Sequence, residues 1–124
     1  MGAEGSEQPR VARATLTEAE GRALLEARFR EAGFAIVESY RLTEGDLDVE
    51  LDGFDPDRRV GYEFLTTEAG DRVEFTPAVV AALERRAAAG ELSVFLVDEA
   101  EVDGPALDRF ARRFLQRLAR AGEA

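Results

Sequence analysis

Between Asp46 and Asp52 the chain alternates acidic and apolar residues without interruption: Asp46, Asp48, Glu50 and Asp52 in one phase, Leu47, Val49 and Leu51 in the other. After the turn-forming run Gly53-Phe54-Asp55-Pro56-Asp57, Val60, Tyr62 and Phe64 resume an apolar phase, with Glu63 in the acidic one. Successive side chains of a strand point to opposite faces, so a period of two over this length describes a hairpin with one buried face. Pairing Leu51 with Val60 or with Tyr62 keeps the apolar faces together, and either register sets Glu63 beside Asp48 or Glu50. The expected result is a cluster of carboxylates on one sheet face, the arrangement a divalent cation needs. The same pattern describes an ordinary solvated strand whose charges discourage edge-to-edge association.

Composition narrows the chemistry available to such a cluster. The 124 residues fit one domain, large enough to fold without disulfides or a structural metal. Cysteine and histidine are both absent, which removes thiol nucleophiles, imidazole bases and tetrahedral zinc sites together. No cofactor is expected beyond a hard cation held by oxygen, with magnesium the first choice. A formal net charge of -10 works against nucleic acid as a partner, since duplex phosphates are met by basic faces. All sixteen basic residues are arginine, and neither lysine nor asparagine occurs. That pattern looks like the codon bias of a GC-rich genome, so the arginines carry no special weight as bidentate ligands. No apolar run approaches a bilayer's thickness, and the first residues lack the basic and apolar regions of a signal peptide. The expectation is a cytoplasmic protein with no membrane insertion.

Local signals set the order of elements. Residues 1–14 show no apolar period and are expected to be a disordered arm, leaving a single domain over residues 15–121. Thr17 with Glu20 forms a capping box, so a helix starts at Glu18 and ends near Ala32, ahead of Gly33. Phe34 to Ser39 reads as a first strand, and the hairpin supplies the second and third. Thr76-Pro77 opens a second helix, with threonine as N-cap and proline in the first turn, which runs to Gly90. Leu92 to Val97 is almost continuously apolar, as in a strand covered on both faces. From Asp103-Gly104-Pro105 onward Leu107, Phe110, Ala111, Phe114, Leu115 and Leu118 recur at helical spacing, with Arg109, Arg112, Arg113, Arg117 and Arg120 on the other side. The expected architecture is an α/β fold: a three-layer α/β/α sandwich around a mixed four-stranded sheet. An antiparallel meander would be followed by a parallel crossover strand. The expected core is Leu25, Phe29, Ile36, Val49, Leu51, Tyr62, Phe64, Leu83, Val94, Leu96, Phe110, Phe114 and Leu118.

This helix-strand-strand-strand-helix-strand order, over about Glu18 to Asp98, resembles the core of the restriction-endonuclease-like, or PD-(D/E)xK, superfamily. In that family an aspartate on the second strand and an acidic-x-lysine set on the third hold magnesium and activate water. The resemblance implies Asp48 or Asp52 as the aspartate and Glu63 as the acidic residue of the third strand. The lysine position falls on Leu65, and the chain has no lysine to take over the role of stabilising charge on phosphate. A further resemblance, in Asp52 to Phe64 (DGFDPDRRVGYEF), Thr66 to Arg72 (TTEAGDR) and Glu74-Phe75-Thr76-Pro77, is to small myxobacterial proteins labelled as gliding-motility proteins.

The expected function is a non-catalytic cytoplasmic protein-interaction domain with a decayed nuclease-like site, associated with gliding motility. The alternatives are a magnesium-dependent phosphodiesterase using Asp48, Asp52 and Glu63, and an acidic, immunity-type inhibitor of a basic protein. The connection from Thr66 to Thr76 is long and follows the C-terminal end of the third strand, where ligands of open α/β sheets gather. Thr66, Thr67, Glu68, Asp71 and Arg72 are therefore the expected partner-binding residues. A short extra strand at Val73-Glu74-Phe75 is the structural alternative for the same segment.

Overall fold

The computed structural model of the protein describes residues 16–123. The arm expected over residues 1–14 lies outside the described residues, as does the side chain of Arg72. Helix α1 (Glu18–Glu31) begins as its capping box dictates: Thr17 Oγ1 accepts the Glu20 N–H at 3.1 Å, and the Glu20 carboxylate accepts the Thr17 N–H at 2.9 Å. Strands β1 (Val37–Glu44), β2 (Leu47–Asp55) and β3 (Val60–Leu65) follow, then a short helix α2 (Asp71–Glu74) and helix α3 (Pro77–Ala88). Strand β4 (Ser93–Asp98), a 3-10 turn at Glu99–Glu101 and the long helix α4 (Gly104–Glu123) complete the described chain.

The sheet order is β1-β2-β3-β4, antiparallel through the first three strands and parallel between β3 and β4. Helices α1 and α4 cover one face. There Leu25, Phe29, Leu107 and Ala111 pack on Val60, Tyr62, Phe64 and Val97. Helix α3 covers the other face with Ala82 and Leu83, against Leu42, Leu47, Val49, Leu51 and Phe54. The α/β/α sandwich and its mixed sheet follow the order read from the sequence.

Several local expectations need correction. The first strand begins at Val37 and runs to Glu44, later than Phe34 to Ser39. The second strand continues through Gly53 and Phe54 to Asp55, and the turn lies beyond it. Asp55 holds that turn by accepting the N–H groups of Asp57 and Arg58, each at 3.0 Å, and of Ala35 at 2.8 Å. Val73-Glu74-Phe75 forms no strand: Val73 and Glu74 end the α2 turn. Phe110 is 37% exposed, where the helical period placed it inside. Strand β4 is an edge strand with mostly half-buried side chains, since among the described residues one of its sides has no neighbouring strand.

The largest difference is in the apolar phases of the hairpin. Leu47, Val49 and Leu51 face α3, whereas Val60, Tyr62 and Phe64 face α1 and α4. The two stripes lie on opposite faces of the sheet because the alternation of β2 slips once. Leu51 and Phe54, three residues apart, belong to the same apolar cluster. The β1–β2 ladder pairs Val37 with Phe54 and Glu38 with Gly53, then resumes at Tyr40 with Leu51, skipping Ser39 and Asp52. Ser39 takes a left-handed φ of 51° there. The consequence is a fold in the hairpin. From Asp55 to Leu47 an extended strand would span about 27 Å. Yet Glu44, next to Leu47 in the ladder, forms a bidentate pair with Arg59 beside Asp55's turn, at 2.6 and 2.8 Å. The outer half of the hairpin must therefore curl back over α3, where Arg86 also reaches Glu44 at 3.1 Å.

Candidate functional site

The bend in β2 leaves a gap between β2 and β3, and that gap gathers the buried acids. The β2–β3 ladder has three pairs and ends at Gly53 with Tyr62. The next two residues facing each other are Asp52 and Glu63, and here side chains replace the main-chain ladder. Glu63 Oε1 accepts the Asp52 N–H at 2.7 Å, and Asp52 Oδ2 accepts the Phe64 N–H at 2.8 Å. Both N–H groups would otherwise be buried without an acceptor at the point where the strands part, a cost of about 1–3 kcal/mol each. Glu63 is 1% exposed and Asp52 8%.

A third acid closes the group. The loop after β3 turns back through Thr66, whose N–H donates to Asp71 Oδ2 at 2.9 Å; both residues are buried. Asp71 also shares a side-chain hydrogen bond with Glu63. Since two carboxylates can share a hydrogen bond only if one keeps its proton, Glu63 is the donor. Burial first, then the charges of Asp52 and Asp71, push the Glu63 carboxyl up to about 10, so it is neutral at pH 7. Burial likewise pushes Asp52 up to about 6, against the Phe64 N–H and the nearby guanidinium of Arg22. Arg22, on α1, lies 3.6 Å from Asp52 Oδ1 and bonds Glu18 one turn earlier. No buried side-chain polar atom among the described residues lacks a hydrogen-bond partner.

Of the sequence-selected acids the structure unites Asp52 and Glu63 and leaves Asp48 apart. Asp48 lies on the outer half of the hairpin, mostly exposed, bonded to Arg41 at 2.9 Å and to Thr43 at 3.0 Å. Glu63 therefore sits beside neither Asp48 nor Glu50, correcting the expected acidic face. The reason is the register: Gly53 pairs with Tyr62, so Asp52 meets Glu63, a combination outside both registers that align Leu51 with Val60 or Tyr62. Leu65, at the lysine position of the resemblance, is half-buried and packs toward the α3 cluster. Thr66 and Asp71 from the partner-binding set are buried within their own loop, while Thr67 and Glu68 are exposed. Arg22 was not singled out from the sequence. An arginine four residues after a glutamate in a first turn resembles any i,i+4 helix pair, so no local signal marks it.

Magnesium does not fit these residues as they stand. One oxygen of Asp52 and one of Glu63 are held by main-chain N–H groups, Glu63 keeps its proton, and the remaining charge of Asp52 faces Arg22. Among the described residues no group of three acidic side chains is disposed to hold a metal ion. Nor is any described helix long and apolar enough to cross a membrane. No protein-family model matches the chain, and no curated protein or solved structure shows significant similarity to it.

Proposed function

We propose that this chain is a non-catalytic protein-interaction domain of the cytoplasm, on a nuclease-like α/β/α scaffold whose acidic pair has become structural. The observation that carries the reading is the crossed pair of bonds between Asp52, Glu63 and Phe64 N–H, which uses both carboxylates to tie β2 to β3 where the ladder ends. Phosphodiester hydrolysis needs ionised ligands for a cation, a positioned water and positive charge on the transition-state phosphate. A protonated Glu63 and an apolar Leu65 supply none of these. The net charge of -10 favours a protein partner over a polyphosphate. The gliding-motility resemblance suggests the setting.

The test incubates the full chain with single- and double-stranded DNA and RNA in magnesium or manganese. No cleavage is expected, and neither cation should raise the melting temperature, as a ligand bound only by the native state must. Leu65→Lys, which restores the family's residue, should remain inactive because Glu63 still holds its proton. Cleavage by the wild type that disappears in both Asp52→Asn and Glu63→Gln would overturn the reading in favour of a metal-dependent nuclease.

A further inference from the structure

The two edges of the sheet are built differently. Strand β1 carries Glu38, Arg41 and Thr43 as exposed residues and breaks its ladder at the left-handed Ser39, all of which hinder the addition of another strand. Strand β4 has none of these devices. From Ser93 to Val97 it contains no charge, proline or glycine, and no residue there has a positive φ. Ser93 donates its N–H to the Arg59 carbonyl at 3.0 Å, on the β3 side. The N–H and C=O of one strand residue point the same way and alternate along the chain, so Val94 and Leu96 turn theirs to the open edge.

Beside that edge β4 and α4 enclose a groove of about 260 Å³. Its apolar wall includes Phe95, Val97 and the exposed ring of Phe110; Arg113 and Arg117 supply its charge, and Glu101 is the one acid among the residues that line it. Arg113 lies 5.9 Å from the centre of the Phe110 ring. Neither arginine is ion-paired among the described residues, although most other arginines of the fold are. An uncharged open edge next to an apolar groove with two free cations is the geometry by which extended peptides join sheets.

We infer that the β4 edge takes up an extended acidic segment of a partner protein as a fifth strand. Its main chain bonds Val94 and Leu96, its carboxylates reach Arg113 and Arg117 on the α4 face, and its alternate, apolar side chains lie on the opposite face beside those of Val94 and Leu96. The inference rests on the reading of this chain as an interaction domain and names where the partner docks. Charge decides the occupant. A second copy paired edge to edge would bring two arginine-rich α4 helices together and two bodies of net charge -10. An acidic peptide meets positive charge locally, and the chain's remaining acids are screened beyond about 8 Å at physiological salt.

The probe is a fluorescein-labelled octapeptide of alternating Val and Glu, titrated against the full chain by anisotropy and by amide exchange in NMR. Binding is expected to slow exchange at the Val94 and Leu96 amides and to leave the Phe95 amide, already in the ladder, unchanged. The double variant Arg113→Glu/Arg117→Glu alters two exposed residues, so its melting temperature should hold while affinity falls by roughly tenfold or more. The corresponding Val-Lys peptide should not bind. Equal binding by the double variant, equal binding of the Val-Lys peptide, or no binding of the Val-Glu peptide would overturn the inference. So would a dimer of the free chain that already protects Val94 and Leu96, which would give the edge to a second copy. Nuclease activity would instead sink the interaction-domain reading and leave the state of this edge to be read separately from the amides.

Discussion

In its first half, Leu47 to Glu50, β2 pairs with β1 alone, and its acids Asp48 and Glu50 are exposed. In its second half, Asp52 to Asp55, the same strand is buried, and at Gly53 and Phe54 it lies between β1 and β3. The acids of the first half meet water and arginines: Asp48 bonds Arg41, whose guanidinium also reaches Glu74 at 3.2 Å. Those of the second half meet main-chain N–H groups, and Asp52 also meets Glu63 and Arg22. The pKa values of Asp48 and Asp52, four apart in one strand, thus shift in opposite directions, Asp48 down by its bond to Arg41 and Asp52 up by burial. Neighbours on both sides of a strand, and not the residue type, decide whether a carboxylate is a solvated charge or a buried acceptor.

That contrast breaks most sharply at Gly53. A Cβ there would overlap the buried ring of Tyr62, which has no room to yield. Gly53→Ala should cost about 3 kcal/mol in urea unfolding, whereas Glu50→Ala in the outer half should change stability by less than about 0.5 kcal/mol. Similar values for the two would mean that the bend does not press β2 onto β3.

Next in size is Asp52→Ala, which leaves the Phe64 N–H without an acceptor in a buried site and should cost about 2 kcal/mol. If amide exchange at Phe64 proves no faster in this variant, the side chain is not standing in for the ladder.

A smaller effect separates the two halves by sign. Glu63 has a raised folded-state pKa, so its stabilisation is complete below its unfolded value near 4.5 and is lost as pH rises toward about 10. Glutamine reproduces the protonated form, accepting from Asp52 N–H and donating to Asp71. Glu63→Gln should be near neutral at pH 4 and gain on the order of 1–2 kcal/mol over wild type by pH 8. Thermal melts across that range decide it; a flat or falling difference would mean that the three acids are not mutually close.

The smallest effect belongs to Asp48, held below the usual carboxylate range by its hydrogen bond to Arg41 and then by that to Thr43. A lowered pKa contributes stability above the unfolded value and loses it as pH falls through the folded one. Asp48→Asn should therefore be slightly destabilising at pH 7, by an amount that fades in acid and in high salt. A pH dependence parallel to that of Glu63→Gln would erase the distinction between the halves.

Signals carried by neighbouring residues were legible in the sequence. The Thr17–Glu20 box starts α1, Thr76-Pro77 starts α3 with Thr76 Oγ1 accepting the Val79 N–H at 3.3 Å, and the strand order with its parallel β4 follows. Part of the site was legible too: Asp52 and Glu63 were selected and do meet. Their partners Arg22 and Asp71 were not recognisable as such, because a residue from another element enters only through the fold. Phe110 shows the same limit, since helical spacing puts it with Phe114, yet α4 overhangs the free edge of β4 and leaves that ring half uncovered.

The sequence by itself determined where the capped helices α1 and α3 start and the order in which strands and helices follow. It also determined that any chemistry must proceed without thiol, imidazole or ammonium side chains. These depend on contacts within a few residues, which a linear pattern records. The tertiary structure alone decided the register of β2 on β3, the slip of phase between Leu51 and Phe54, and so which acids are buried. A one-residue change of pairing exchanges the two faces of a strand, and its energy is settled by packing Tyr62 on Gly53 and Phe54 on Gly61, contacts between residues distant along the chain.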